Sequence, residues 1–247
     1  MHGDGDKLWT IVYCRIYVFV FDLYDTVLTD ISFSFLDGLK YLHDNFFISK
    51  CSFDELNEYS ETFLPLYEKR KTQNVEICLI KDEIPFYFKR FGVDLPSNID
   101  DLEYTVMNIM QKVYLEEPIK NTIRALYDNN VEMYILSNSI FRGVAAERLL
   151  KEHSLLQYFK ALYSSADYGI RKPDKKFFDI AVDKVIKNNP GYSRNSITYI
   201  GNDYRSDVHG GLSAGLKTIW YNVKSKENVD KVDCQVINDF SELLKFI

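Results

Sequence analysis

The sequence predicts an α/β fold: a doubly wound parallel sheet with an all-helical block inserted early in the chain. Three observations predict it. Residues 17–21 form an unbroken β-branched and aromatic run that stops at Asp22, as a strand buried on both faces does. Residues 34–117 carry apolar side chains at helical spacing and few strand signals. From Pro118 onward, short apolar runs alternate with amphipathic stretches, the texture of repeated βα units.

Taken in order, residues 1–7 are polar, contain two glycines and are assigned no role. The strand at 17–21 delivers Asp22, Asp25 and Thr26 to its C-terminal end. In the helical block, Phe35, Leu39 and Leu42, then Leu56, Tyr59, Phe63 and Leu66, then Ile77, Ile80, Ile84 and Phe88, predict helices with one apolar face. Four helices fit. Ser52 with Glu55 reads as a capping box, Gly92 as a helix end, and Pro96 with Ser97 as the opening of the next helix. The many Tyr and Phe here are read as core packing. Pro118 starts a helix to about Asn129, and a strand at 132–136 ends in Ser137 and Asn138. A helix through Lys151, a strand at 161–164, a loop holding Arg171, Lys172 and Pro173, and a helix at 174–188 follow. A strand at 196–200 ends in Gly201, Asn202 and Asp203, with Asp207 four residues beyond. A short helix, strands at 218–221 and 235–237, and a helix at 240–246 complete the chain.

Composition limits the function. The 247 residues are 46% apolar and 27% charged, enough for a folded core with a smaller insert. The net charge is −6 and no basic block stands out, which argues against nucleic acid as the partner. The apolar run at 8–21 is broken by Arg15 and is too short to span a bilayer. Asp4 and Asp6 stand where a secretory leader requires positive charge, so a cytoplasmic protein without membrane contact is expected. Cys14, Cys51, Cys78 and Cys234 are widely scattered and read as reduced packing residues.

Parallel strands share one C-terminal edge, and there a doubly wound sheet binds its ligands. Four strand ends meet on that edge: Asp22 with Asp25 and Thr26, Ser137 with Asn138, the Lys172 loop, and Asn202 with Asp203 and Asp207. This set suits phosphate. Carboxylates hold Mg²⁺ through oxygen, Lys172 and Ser137 suit the remaining phosphate oxygens, and an Asp so placed can attack phosphorus.

With FDLYDT at 21–26, ILSN at 135–138, RKPD at 171–174 and IGNDYRSD at 200–207, the chain resembles the haloacid dehalogenase superfamily. The four motifs occur in order over nearly the whole sequence. The resemblance implies an α/β hydrolase core at 1–30 and 118–247 and a helical cap at 31–117. It makes Asp22 the nucleophile, and it assigns Ser137, Asn138 and Lys172 to the transferred group of a small phosphorylated substrate. Mg²⁺ would be held by Asp22, the Tyr24 carbonyl, and Asn202, Asp203 or Asp207.

Two positions depart from the family's phosphatases. Tyr24 stands where their acid/base Asp does, and a phenol with an ordinary pKa of about 10 is a weak proton donor at pH 7. Asn202 stands where the usual fourth motif has its metal ligand, with Asp203 as a possible one-residue substitute. A Tyr at the second position is what 2-haloacid dehalogenases carry, whose leaving halide needs no proton. Retention of both Asp203 and Asp207 favours a Mg²⁺-dependent phosphatase over that metal-independent alternative. A non-catalytic protein that binds a phosphorylated ligand is the third reading.

Overall fold

The computed structural model describes residues 17–223 and 233–247. Cys14 and the stretch at 8–16 lie outside them. Eight strands are described: β1 (Val18–Phe21), β2 (Thr29–Phe33), β3 (Gln111–Tyr114), β4 (Glu132–Ser137), β5 (Phe159–Ser164), β6 (Ile197–Gly201), β7 (Lys217–Tyr221) and β8 (Gln235–Ile237). Six form one sheet in the order β5-β4-β1-β6-β7-β8, and every neighbouring pair is parallel. The chain leaves β1 for β4 on one side and later returns to β6 on the other. The reversal of strand order thus falls at β1, where the crevice of such a sheet opens.

Both faces of β1 are covered, which is why its sequence does not alternate with polar residues. Val18 and Val20 pack with Phe177, Phe178, Ala181, Val182 and Val185, from the helix Lys175–Asn188. Phe19 and Phe21 pack in the opposite layer with Ile119, Ile123 and Leu126, from the helix Glu117–Asp128. The Rossmann-like, doubly wound arrangement follows directly. No helix among the described residues is long and apolar enough to cross a membrane.

Between β2 and β3, six α-helices take the numbers α1 (Phe35–Leu42), α2 (Phe53–Ser60), α3 (Leu64–Gln73), α4 (Leu79–Asp82), α5 (Ile84–Phe91) and α6 (Ile99–Met110). The Ser52–Glu55 capping box forms, and Gly92 ends α5 at φ 65, a left-handed conformation in which glycine is unstrained. Asn98, rather than Pro96 or Ser97, caps α6 through its side chain. The expectation of an all-helical block with four helices needs correction at its ends as well. Where the chain leaves and re-enters the sheet layer, β2 and β3 pair as an antiparallel ribbon. Its residues are mostly exposed, with Ile31 at 63% and Phe33 at 50%, so no buried stripe announced it in the sequence.

The helices rest on the sheet layer through a continuous apolar cluster and a ring of ion pairs. Arg142, just ahead of the helix Gly143–Glu152, reaches Glu103 at 2.6 Å and Asp100 at 2.6 Å on α6. The segment after α3 also pairs with the loop ahead of Lys172. A bridge joins Val75 to Ile170, Glu76 N–H donates to the Gly169 carbonyl, and Arg171 N–H donates to the Asn74 carbonyl.

Candidate active site

Asp22 extends straight out of β1, and its own N–H donates to the Ile200 carbonyl of β6 at 2.8 Å. The chain then turns sharply. Val27 and Leu28 N–H both donate to the Leu23 carbonyl, and Asp25 takes φ 59, which Asp tolerates better than most residues. The Asp25 carboxylate accepts from the Asp30 N–H at 3.1 Å and so serves the turn.

Lys172 is the hub. Its ammonium is buried and donates to Asp22 Oδ1 at 2.6 Å, Asp207 Oδ1 at 2.7 Å and the Tyr199 hydroxyl at 2.7 Å. Burial by itself would depress the Lys172 pKa, but Asp207 and Asp22 reverse this and hold it above its ordinary value. Burial raises Asp22 to about 7 against the opposing pull of Lys172, with Asp207 adding to the rise. Two carboxylates share one ammonium, and the second is held from behind: Asp207 Oδ1 accepts from Tyr199 at 2.7 Å and Oδ2 from the Asp203 N–H at 2.9 Å. Gly201 permits this arrangement. A Cβ there would lie 2.5 Å from both Cβ and Cγ of Asp207, so only glycine lets the end of β6 pass so close.

Ser137 ends β4 beside β1, is completely buried, and its hydroxyl has no hydrogen-bond partner. A buried hydroxyl without a partner is costly in a finished fold and is suited to a ligand. Asn138 is placed differently. Its amide donates to the Lys172 carbonyl at 3.0 Å and its oxygen accepts from the Lys172 N–H at 2.8 Å, clamping the lysine's main chain. Thr26, fully buried, donates to Asn202 Oδ1 at 3.3 Å and lies 3.5 Å from Asp22 Oδ2.

Of the acids expected to hold a metal, Asp22 and Asp207 meet at Lys172 and Asp203 turns away. Among the described residues no group of three or more His, Cys, Asp or Glu converges. Asp203 is exposed and caps the following turn, its Oδ1 accepting from Ser206 N–H at 2.6 Å and Ser206 Oγ–H at 2.7 Å. Asp207 is engaged as described. What faces the same Thr26 hydroxyl is Asp22 Oδ2 and the neutral Asn202 Oδ1. The Tyr24 carbonyl, for its part, takes none of the turn's main-chain hydrogen bonds. Asp22 Oδ2 and Asn202 Oδ1, which meet at Thr26, are the oxygens that could serve a Mg²⁺ ion completing its shell with water and substrate phosphate.

The Tyr24 hydroxyl is buried and unpartnered, and burial foremost pushes its pKa upward, so the phenol is neutral. Its ring borders a cavity of about 230 Å³ together with Phe33, Tyr67, Arg70, Gln111 and Ser139. Asp22 is only 7% exposed, Lys172 2% and Ser137 0%.

The pattern characteristic of haloacid dehalogenase-like hydrolases matches residues 19–221. The chain belongs to this family of hydrolases. Among hydrolases similar to it, pyrimidine 5'-nucleotidase PynA of Streptococcus pneumoniae (strain ATCC BAA-255 / R6) is 30% identical over 181 residues, 70% of this chain and 73% of that one. Pyrimidine 5'-nucleotidase YjjG of Escherichia coli (strain K12) is 25% identical over 213 residues, 86% of this chain and 88% of that one. The match to the HAD-hydrolase YfnB of Bacillus subtilis (strain 168), 30% over 101 residues, spans 41% of this chain and only 40% of that protein. A solved 2-haloacid dehalogenase from Pseudomonas syringae pv. Tomato DC3000 shares the fold, with a TM-score of 0.66 at 19% identity over 93% of this chain and 97% of its own.

Sequence reasoning missed Tyr199, the third partner of Lys172. Within β6 it reads as one more buried aromatic. The available signal was its position, two residues before the Gly201 turn, where a strand side chain still reaches the polar edge.

Proposed function

We propose that this hydrolase is a phosphatase for a small phosphate ester, with Asp22 as the nucleophile and pyrimidine nucleoside 5'-monophosphates as the first substrates to test. The observation that carries the reading is the Lys172 ammonium held between Asp22 and Asp207, beside the buried and unpartnered Ser137 hydroxyl. An Asp22 oxygen attacks phosphorus, the bond to the leaving oxygen breaks, and an aspartyl phosphate forms that water later hydrolyses. Lys172 and Ser137 hold the non-bridging oxygens as charge shifts onto them. Asn138 acts through Lys172 by fixing its main chain. Mg²⁺, held by Asp22 Oδ2, the Tyr24 carbonyl and Asn202 Oδ1, would offset the repulsion between carboxylate and phosphate.

The leaving oxygen receives no carboxylic proton, because Tyr24 presents a neutral phenol whose pKa burial raises further. Substrates with weakly basic leaving groups should therefore react best. The helices, read as a cap at 31–117 over a core at 1–30 and 118–247, must lift to admit substrate, since Asp22 is nearly closed off. The described cysteines Cys51, Cys78 and Cys234 are free thiols, which supports a cytoplasmic setting.

One observation favours a second reading. A neutral Tyr24 suits halide departure, so a metal-independent 2-haloacid dehalogenase is the alternative. Hydrolysis of uridine 5'-monophosphate, p-nitrophenyl phosphate, acetyl phosphate and 2-chloropropionate, each with Mg²⁺ and with EDTA, separates them. Phosphate release that EDTA abolishes is expected. Halide release undiminished by EDTA would overturn the proposal. Absence of turnover on every substrate would leave the non-catalytic reading.

A further inference from the structure

A second cavity, of about 250 Å³, opens between the end of α3 and the loops carrying Lys172 and Asp203. Its wall is cationic: Arg70, Lys71, Arg171, Lys172 and Arg205 line it, against the single carboxylate of Asp203. In a chain of net charge −6 this convergence runs against the overall balance. The Lys172 charge is already taken by Asp22 and Asp207, and Lys71 pairs with Glu68 at 3.2 Å. Arg205 is exposed and has no ion pair among the described residues.

Two of these arginines are fixed in a telling way. Glu76, whose side chain is fully buried, binds Arg70 through Nε and stands 3.7 Å from Arg171 Nε. Its carboxylate also accepts from the Ser165 hydroxyl at 2.7 Å and the Ile77 N–H at 3.1 Å, so it is rigidly held. Glu76 takes a hydrogen bond from Arg70 Nε and faces Arg171 Nε as an ion pair, and the terminal nitrogens of both arginines have no hydrogen-bond partner among the described residues. A guanidinium fork with its outer edge open is the group that binds phosphate or carboxylate in bidentate fashion. One buried carboxylate shared by two arginines leaves a surplus positive charge, to which Arg205 adds. Burial first, and then Arg70, keep the Arg171 pKa below its ordinary value, with Glu76 and Asp203 opposing, as expected of cations crowded together.

We propose that this cavity is an anion subsite that takes a second phosphate or carboxylate group, carried by the substrate on the side of its leaving group. The proposal deepens the phosphatase reading and rests on it for the identity of the first anion. The position is appropriate: Lys172 borders the cavity while its ammonium reaches Asp22, and Arg70 borders both this cavity and the one over Tyr24. A substrate with its phosphoryl group at Asp22 and its body under the helices therefore has cations waiting at its far end.

The test pairs ligands that differ by one anionic group. 3-Phosphoglycerate is compared with glycerol 3-phosphate, and fructose 1,6-bisphosphate with fructose 6-phosphate, as substrates and as inhibitors of p-nitrophenyl phosphate hydrolysis. The wild type should favour the doubly anionic member by about tenfold in kcat/KM or in inhibition constant, the size expected for a hydrogen bond to a charged group. Arg70→Gln and Arg205→Ala together should reduce that ratio toward one. Parity in the wild type, or a preference that survives the double substitution, would overturn the proposal. A free anion is distinguished by titrating sulfate. If sulfate alters p-nitrophenyl phosphate turnover in the wild type but not in the double variant, and the paired ligands show parity, the site holds a free anion and the substrate-borne form is overturned. If the wild type hydrolyses nothing, the phosphatase reading fails by itself, and calorimetric binding of inorganic phosphate decides the subsite. Binding about tenfold weaker in the double variant supports it, and equal binding overturns it.

Discussion

Replacing Lys172 by Met keeps most of the length of the side chain and removes its charge. The structure gives the consequence. The ammonium makes three bonds of 2.6 to 2.7 Å at a side-chain exposure of 1%, and both Asp22 and Asp207 depend on it as their only ion-pair partner among the described residues. Its loss leaves two neighbouring buried carboxylates without a counter-ion, and breaking one partner out of a buried ion pair costs about 3 to 5 kcal/mol. In a protein of this size each kcal/mol shifts Tm by roughly 2 to 4 °C, so a drop of roughly 6 to 20 °C at pH 8 is expected. The sign with pH follows. With the ammonium gone, the folded state holds a carboxyl proton more tightly than the unfolded chain does, so stability is retained at low pH and lost as pH rises through the raised value. Thermal melts of Lys172→Met and wild type at pH 5 and pH 8 should show the smaller gap at pH 5. A gap below about 1 kcal/mol, or one equal at both pH values, would mean that Lys172 does not neutralise the buried pair.

Ser137→Ala removes a buried hydroxyl with no partner, so stability should stay within about 1 kcal/mol while turnover falls by about 10²-fold, read by denaturant melts and kcat. Tyr24→Asp should raise turnover of an alkyl phosphate by about tenfold or more, with a smaller gain on p-nitrophenyl phosphate, and equal change on both would remove Tyr24 from the acid/base position. Burial, against hydrogen bonds from Tyr87 and Tyr67, holds the Glu83 pKa above the usual carboxylate range. Stability from the protonated form is then complete below the ordinary carboxylate pKa and is lost as pH rises through the raised one. The Tm of Glu83→Gln should therefore gain on the wild type from pH 4 to pH 8.

The sheet was legible because its strands are apolar on both faces and stop at polar residues. Phe21 before Asp22 and Leu136 before Ser137 mark both the end of the apolar run and the start of chemistry. The β2 and β3 ribbon was not, because exposed strands such as Thr29–Phe33 leave no core stripe to read. Asp203 misled for a related reason. Four-residue spacing to Asp207 suits a shared metal equally well as a capped turn, and only in the folded chain is its oxygen seen turned to Ser206. Asn138, next to Ser137 in sequence, was expected on the substrate, yet both its polar atoms meet the Lys172 main chain, 34 residues away. The Arg70, Glu76 and Arg171 group joins the insert to a distant loop, a relation that no local pattern encodes.

If Asp22 carries the transferred group, rapid acid quenching will trap it there. Mixed with p-nitrophenyl phosphate and Mg²⁺ and stopped within one turnover, the protein should yield, by mass spectrometry, a peptide containing Asp22 that bears one phosphoryl group. With no carboxylic base at position 24, that species should accumulate in the steady state and disappear in Tyr24→Asp. Turnover of phosphate with an unmodified Asp22 peptide at every quench time, or with the phosphoryl group on another residue, would contradict the account.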